Sequence, residues 1–177
     1  MQDAVIAYND CLQKKDDHKE ALFALARLFQ NSGNNDQCTA YCNRLIKIDP
    51  SHDNASFMLA NLMLMKDKPE DAINIYTQLL DKKPDNFNIL AQLIELLRRA
   101  GRLSDVPKFL EKAERAAARS SMAGLSFTKG LYHRYQGEPH LALKELNVAR
   151  FDSFFGEAAI SNMIEIYLNP LNDMLVS

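Results

Sequence analysis

The chain has 177 residues, 47% hydrophobic and 25% charged, with a formal net charge of −2. That balance suits a soluble helical protein and offers no global field for nucleic acid or an anionic membrane. No apolar run approaches the length of a membrane span and no signal segment opens the chain. Three cysteines, Cys11, Cys38 and Cys42, are too few and odd in number for a disulfide framework, which fits a reducing compartment.

In chain order, Asp3–Lys15 reads as a lone helix carrying Ala4, Tyr8 and Cys11 on one face. Residues 19–31 then put Leu22, Leu25, Ala26 and Phe29 on one face, with Gly33 in the position that ends a helix left-handed. A partner helix near 35–47 carries Cys38, Cys42, Leu45 and Ile46 inward, and Pro50 stops it. The same grammar recurs with Leu59, Ala60 and Met63 faced by Ala72, Tyr76 and Leu79 behind Pro69. It recurs again with Leu90, Leu93, Ile94 and Leu97 faced by Val106, Leu110 and Ala113, where Ser104 reads as the N-cap. Arg115–Ser121 replaces the proline stop, so that helix is expected to run about one turn longer. Gly130 and His133 are followed by Pro139, Ala142, Leu146 and Ala149. Glu157–Leu168 is a lone first helix with Met163, Ile164 and Tyr167.

Registers lock these helices together. Ala4, Cys38, Ala72 and Val106 are each 34 residues apart, and Ala142 continues the ladder after two extra residues. Gly33, Asp67, Gly101 and Gly137 keep the same steps, as do Leu25, Leu59, Leu93, Lys129 and Met163. A period of 34 over the whole chain resembles tetratricopeptide (TPR) repeats. The expected fold is all-α: a right-handed solenoid of antiparallel helix pairs, with about four full repeats and a half-repeat helix at each end. The units fall near 19–52, 53–86, 87–122 and 123–156, with partial units at 1–18 and 157–177. One departure is the usual tryptophan slot, held by Leu22, Ser56, Leu90, Ser126 and Ile160. Neither end has a polar capping helix. The chain therefore reads as a segment of a longer array, and its uncapped ends are expected to self-associate.

A closer resemblance lies in the second half. Leu96–Leu103, Asp105-Val106-Pro107, Lys129–Tyr132, Gly137-Glu138-Pro139 and Asn162–Ile166 followed by Leu168-Asn169-Pro170 resemble the long all-tetratricopeptide subunit family of intraflagellar transport complex A. The likeness is dense over about 84–170 and rests on the repeat pattern before that. It implies a structural subunit of the dynein-driven train that returns cargo from tip to base of a cilium, and one that supports cargo entry. The implied partners are other subunits of the complex and ciliary cargo or adaptors, at the cilium or flagellum and its basal body. The family carries no catalytic residues or cofactor.

The surface most suited to binding is the groove lined by the first helices: Phe23 and Arg27; Phe57, Asn61 and Met65; Glu95 and Arg99; Phe127, Leu131 and Tyr135. Two readings stand. Either this is an apolar strip with polar margins that holds a partner helix or extended segment, or the side chains fill gaps between neighbouring helices. A generic TPR peptide-binding adaptor or co-chaperone module is the alternative function. The basic, asparagine-rich clamp for a peptide carboxylate is not visible, because Phe23, Phe57, Ala91 and Glu95 stand in the groove.

Chemistry candidates are weak. Cys38 and Cys42 are one turn apart, but both occupy inward slots and no second ligand pair stands at zinc spacing. His133 lies on the ladder of Phe29, Met63, Leu97 and Tyr167 and reads as a packed or edge histidine. His18, His52 and His140 read as surface residues near helix starts. No serine or cysteine is matched to a histidine in a nucleophile–base motif, so no enzyme activity, metal or cofactor is expected.

Overall fold

Ten α-helices follow one another through the described residues of the computed structural model, which are 2–49, 52–118 and 122–169. They are α1 (Gln2–Lys14), α2 (Lys19–Asn31), α3 (Asn35–Ile48), α4 (Asp53–Met65), α5 (Pro69–Lys82), α6 (Phe87–Arg99), α7 (Val106–Ala116), α8 (Met122–Tyr135), α9 (Pro139–Ala149) and α10 (Gly156–Leu168). The all-α fold of consecutive helix pairs read from the ladders is the fold found. Pro50, Ser121 and Pro170 lie outside the described residues. The chain divides into two compact units, Met1–Leu79 and Leu80–Ser177, with α5 crossing the division.

Both units use the same devices at their helix ends. The ladder Gly33, Asp67, Gly101 and Gly137 is the set of described residues with positive φ, at 74°, 56°, 68° and 77°. After α2, the Gly33 N–H reaches the Gln30 carbonyl at 3.1 Å and the Asn34 N–H reaches Phe29 at 2.9 Å. This pair of bonds, the Schellman motif, satisfies two carbonyls that a helix end leaves open. The same pair follows α4 (Asp67 to Leu64, Lys68 to Met63), α6 (Gly101 to Arg98, Arg102 to Leu97) and α8 (Gly137 to Arg134, Glu138 to His133).

Helix starts carry a second ladder. The side chains of His18, His52 and Asn86, again 34 apart, accept from the backbone N–H of Ala21, Ala55 and Ile89 at 3.3, 3.1 and 3.3 Å. His18 and His52 are thus N-caps rather than plain surface residues, each supplying Nδ1 where asparagine supplies Oδ1. Asn34 caps α3 in the same way. The cap expected at Ser104 is not used. Leu103–Asp105 forms a 3-10 turn and Asp105 precedes α7 without a side-chain cap bond. Its carboxylate is taken by Arg102 at 2.8 Å and Lys108 at 3.3 Å. Nor does α7 run long. It ends at Ala116, because Ala117 turns to ψ 124° and leaves the helix.

The first unit buries Leu12, Leu22, Leu25 and Leu45 in one cluster, and Ala26, Cys38, Cys42 and Leu62 in another. Each fully buried leucine contributes about 1.5–3 kcal/mol. Burial, followed by the neighbouring Cys38, pushes the Cys42 thiol up to about 12, and burial also raises Cys38. Both thiols stay protonated and pack as small apolar groups. Tyr76 is wholly buried, yet its hydroxyl donates to Asn61 Oδ1 at 3.2 Å.

The second unit buries Leu90, Leu93, Ile94, Leu97, Val106, Ala113, Ala142 and Leu146. Glycine permits close helix approach at two places. A Cβ on Gly130 would stand 2.7 Å from Leu146 Cγ, and one on Gly124 would stand 2.6 Å from the Phe87 ring. Ile164 and Tyr167, read as inward positions of α10, are instead 51% and 67% exposed. No described helix packs over that face.

Candidate functional site

Within the second unit the first helices α6, α8 and α10 line an open groove of about 510 Å³. Residues four apart on a helix share a face, so α6 presents Ala91, Glu95 and Arg99, and α8 presents Phe127, Leu131 and Tyr135. Five residues expected from spacing, Glu95, Arg99, Phe127, Leu131 and Tyr135, therefore meet in one place.

The floor is aromatic. The Phe127 and Phe155 rings stack at 5.2 Å, and Phe154 meets Phe155 edge-on at 4.8 Å while remaining 67% exposed. The turn that delivers these two rings is fixed locally. Asp152 Oδ1 accepts from the backbone N–H of Phe154 at 2.8 Å and of Phe155 at 2.9 Å, an Asx turn. Gly156 then lets the chain pass the Arg150 carbonyl, which a Cβ would meet at 2.7 Å.

The walls carry two guanidinium-centred networks. Glu95 accepts from Arg98 Nη2 and Arg99 Nε, both at 2.9 Å, and from Tyr135. Burial alone would push the Glu95 carboxyl up. The bonds from Arg98, Tyr135 and Arg99, and the Arg98 charge, outweigh it and hold the group at about 2. Burial, with Glu95 beside it, pushes the Tyr135 phenol up, so the hydroxyl remains a donor. Arg98 of α6 also lies over the Tyr135 ring at 5.1 Å, and Arg134, next to Tyr135 on α8, lies 5.7 Å from the same ring. Arg134 is itself 9% exposed and donates to Asn162 and Glu165 on α10. The groove thus offers a fixed apolar floor between preset donors and acceptors.

The remaining five expected residues belong to the first unit and are placed differently. Phe23 is half-buried with its ring 4.9 Å from His52, and Phe57 lies 6.1 Å from the Tyr76 ring. Asn61 is engaged by Tyr76. Arg27 is exposed and Met65 is 74% exposed. Spacing alone overlooked Arg98, Arg134, Phe154, Phe155, Asn162 and Glu165. A signal for two of them was present: Arg98 and Arg134 stand on one ladder, separated by the same 36 residues as Leu93 and Lys129. His133 is an edge histidine whose Nδ1 lies 2.6 Å from Glu138 Oε2. Among the described residues no three His, Cys, Asp or Glu side chains gather as metal ligands. No described helix is long and apolar enough to cross a membrane.

The family model of the TT21 fifth ARM repeats domain matches residues 53–168, and a tetratricopeptide repeat model matches 20–52. Both names describe arrays of stacked helix pairs. Human tetratricopeptide repeat protein 21A is 40% identical over 173 residues, covering 97% of this chain and 13% of that protein. Tetratricopeptide repeat protein 21B of Xenopus laevis is 39% identical over 169 residues, again 13% of its length. The Caenorhabditis elegans homologue is 28% identical over 160 residues, 89% of this chain and 12% of its own. The chain thus spans about an eighth of these relatives. Among solved structures, YrrB, a TPR protein with an unusual peptide-binding site, superposes with TM-score 0.61 at 15% identity over 96% of this chain and 86% of its own. Pseudomonas aeruginosa PilF does so with TM-score 0.64 at 18% identity, over 88% and 70%. These two likenesses bear on fold alone. The relatives and the match over 53–168 assign more: the chain belongs to the tetratricopeptide repeat protein 21 family.

Proposed function

We propose that this chain is a non-enzymatic protein–protein interaction scaffold, a segment of an intraflagellar transport complex A subunit that acts in retrograde ciliary transport and ciliary cargo entry. Family membership supports the reading, together with what the resemblance over 84–170 implies. The single observation that carries it is the groove of the second unit. Its aromatic floor remains open at Phe154, and its guanidinium and carboxylate groups are fixed before any partner arrives. Preset groups of this kind lose little freedom on binding, which favours specific protein contacts. The partners in this reading are other subunits of the complex, with cargo or adaptors as further occupants, at the cilium or flagellum and its basal body.

The co-chaperone alternative is less well supported. A peptide carboxylate would need guanidinium groups, and Arg98 and Arg99 already hold Glu95 at 2.9 Å. The test is capture of the chain by each purified subunit of complex A in turn, beside short peptides ending in a free carboxylate. Retention by at least one subunit, with no peptide binding, is the expected result. Peptide binding without subunit capture would replace the scaffold reading with the adaptor reading.

A further inference from the structure

The groove of the second unit carries polar groups that its own chain does not use. Asn88 and Gln92, four apart and so on one face of α6, line it and are exposed. Neither makes a side-chain hydrogen bond to another described residue. Arg99 gives Nε to Glu95 at 2.9 Å, and its two Nη groups have no partner among the described residues. Three guanidinium groups line the groove, those of Arg98, Arg99 and Arg134, against the two carboxylates of Glu95 and Glu165. One positive charge is left over, and Arg99, at 68%, is the most exposed of the three.

These groups favour one backbone shape in whatever fills the groove. A helix satisfies its own peptide groups and would leave the Asn88 and Gln92 amides unanswered. An extended segment instead presents a peptide N–H and C=O to the same side at every second residue. Side chains four apart on α6 are about 6 Å apart along its axis, close to the roughly 6.6 Å between alternate residues of a strand. Each carboxamide is donor and acceptor at once, which suits one such peptide edge.

The floor and the spare charge fix what that segment carries. Phe127, stacked on Phe155, lies eight residues before Tyr135 on α8, about 12 Å along the axis. Tyr135 and Arg99 both bind Glu95, which puts Arg99 at that far end. Four residues of extended chain span about 13 Å and return a side chain to the same side.

Given that this groove is the binding surface of the scaffold reading, we propose that it holds an extended protein segment with an aromatic and an acidic side chain four residues apart. The aromatic group sits on the Phe127–Phe155 floor, the acid meets the Nη edge of Arg99, and Asn88 and Gln92 hold the backbone between donor and acceptor.

Selection of a random-peptide library on the immobilised 177-residue chain tests it, with the peptides displayed inside a carrier loop so that no chain end is free. Enriched sequences are expected to share an aromatic residue and an Asp or Glu four positions apart. The strongest, made with both ends blocked, is expected to bind Gln92→Ala about three- to tenfold more weakly than wild type, the worth of one neutral hydrogen bond. Selection on Arg99→Gln, its helicity checked by circular dichroism, is expected to keep the aromatic position and lose the acidic one. No enrichment, apolar residues recurring at helical spacing, an acid retained on Arg99→Gln, or unchanged binding to Gln92→Ala would each overturn the proposal. Capture by purified complex A subunits, run beside the selection on wild type and Phe154→Ser, separates this inference from the scaffold reading. Capture that Phe154→Ser abolishes, without the aromatic–acid pattern, overturns the extended segment and keeps the scaffold. The pattern without any capture keeps the extended segment and overturns the scaffold's partners.

Discussion

The Met1–Leu79 and Leu80–Ser177 units share one register but put it to different uses. In the first, the aromatic side chains expected to line a groove are spent on internal partners: Phe23 against His52 and Phe57 against Tyr76. Its ion pairs are separate and peripheral, such as Lys19 with Asp49 at 3.0 Å and Lys66 with Asp36 at 2.8 Å. In the second, Glu95, Arg98, Arg99 and Tyr135 form one network, Arg134 ties α8 to α10, and Phe154 stays open. The repeat dictates which positions face inward and where each helix stops. It leaves the outward residues of the first helices unconstrained, and those are the positions at which the two units diverge.

The shared skeleton is where the largest effects are expected. Leu45→Ala in the first unit and Leu146→Ala in the second remove side chains that are 0% exposed, and each is expected to cost about 2–5 kcal/mol by urea unfolding. Near-neutral behaviour at one of the two would break the equivalence of the units. Gly130→Ile installs the residue that stands at the equivalent positions 94 and 164. Against Leu146, only 2.7 Å from the missing Cβ, it should destabilise by about 1–3 kcal/mol. A neutral result would mean that the α8–α9 approach is not set by glycine.

Acid sharpens the contrast through Glu95. Its carboxyl is held at about 2 in the fold, below its ordinary 4.5, so the stabilisation is complete above the ordinary value and is lost as pH falls from there through about 2. With the side chain 27% exposed, the contribution is discounted to about 1–2 kcal/mol. Glu95→Gln is expected to flatten stability against pH in that window. An unchanged acid limb would mean that the network adds nothing. The smallest effect concerns Asp67, the one non-glycine residue with positive φ among the described residues, at 56°. Asp67→Gly should stabilise the first unit by about 0.5–1 kcal/mol, seen as a shift in the urea midpoint.

Much of this fold is legible in the sequence, for a physical reason. Positions such as Leu25, Leu59 and Leu93 must be buried, and Gly33, Asp67 and Gly101 must turn left-handed, so both constraints recur through three successive periods. The caps at His18 and His52 were harder to read, because an imidazole caps only when Nδ1 is free to accept, and residue type alone does not reveal that. The early end of α7 overrides the helix propensity of Ala116–Ala118. In the groove, spacing placed Glu95, Arg99, Phe127, Leu131 and Tyr135 on common faces. It had no access to Phe154 and Phe155, which arrive from a turn between helices where no helical period applies.

The most direct test is to titrate the chain with a captured complex A subunit and compare Phe154→Ser with Met65→Ser. Both side chains are largely exposed, at 67% and 74%, so neither substitution should disturb folding. If the second-unit groove is the binding surface, Phe154→Ser lowers affinity by about tenfold or more, about 1.4 kcal/mol, while Met65→Ser leaves it unchanged. Equal affinities for wild type and Phe154→Ser, or a loss confined to Met65→Ser, would contradict that assignment.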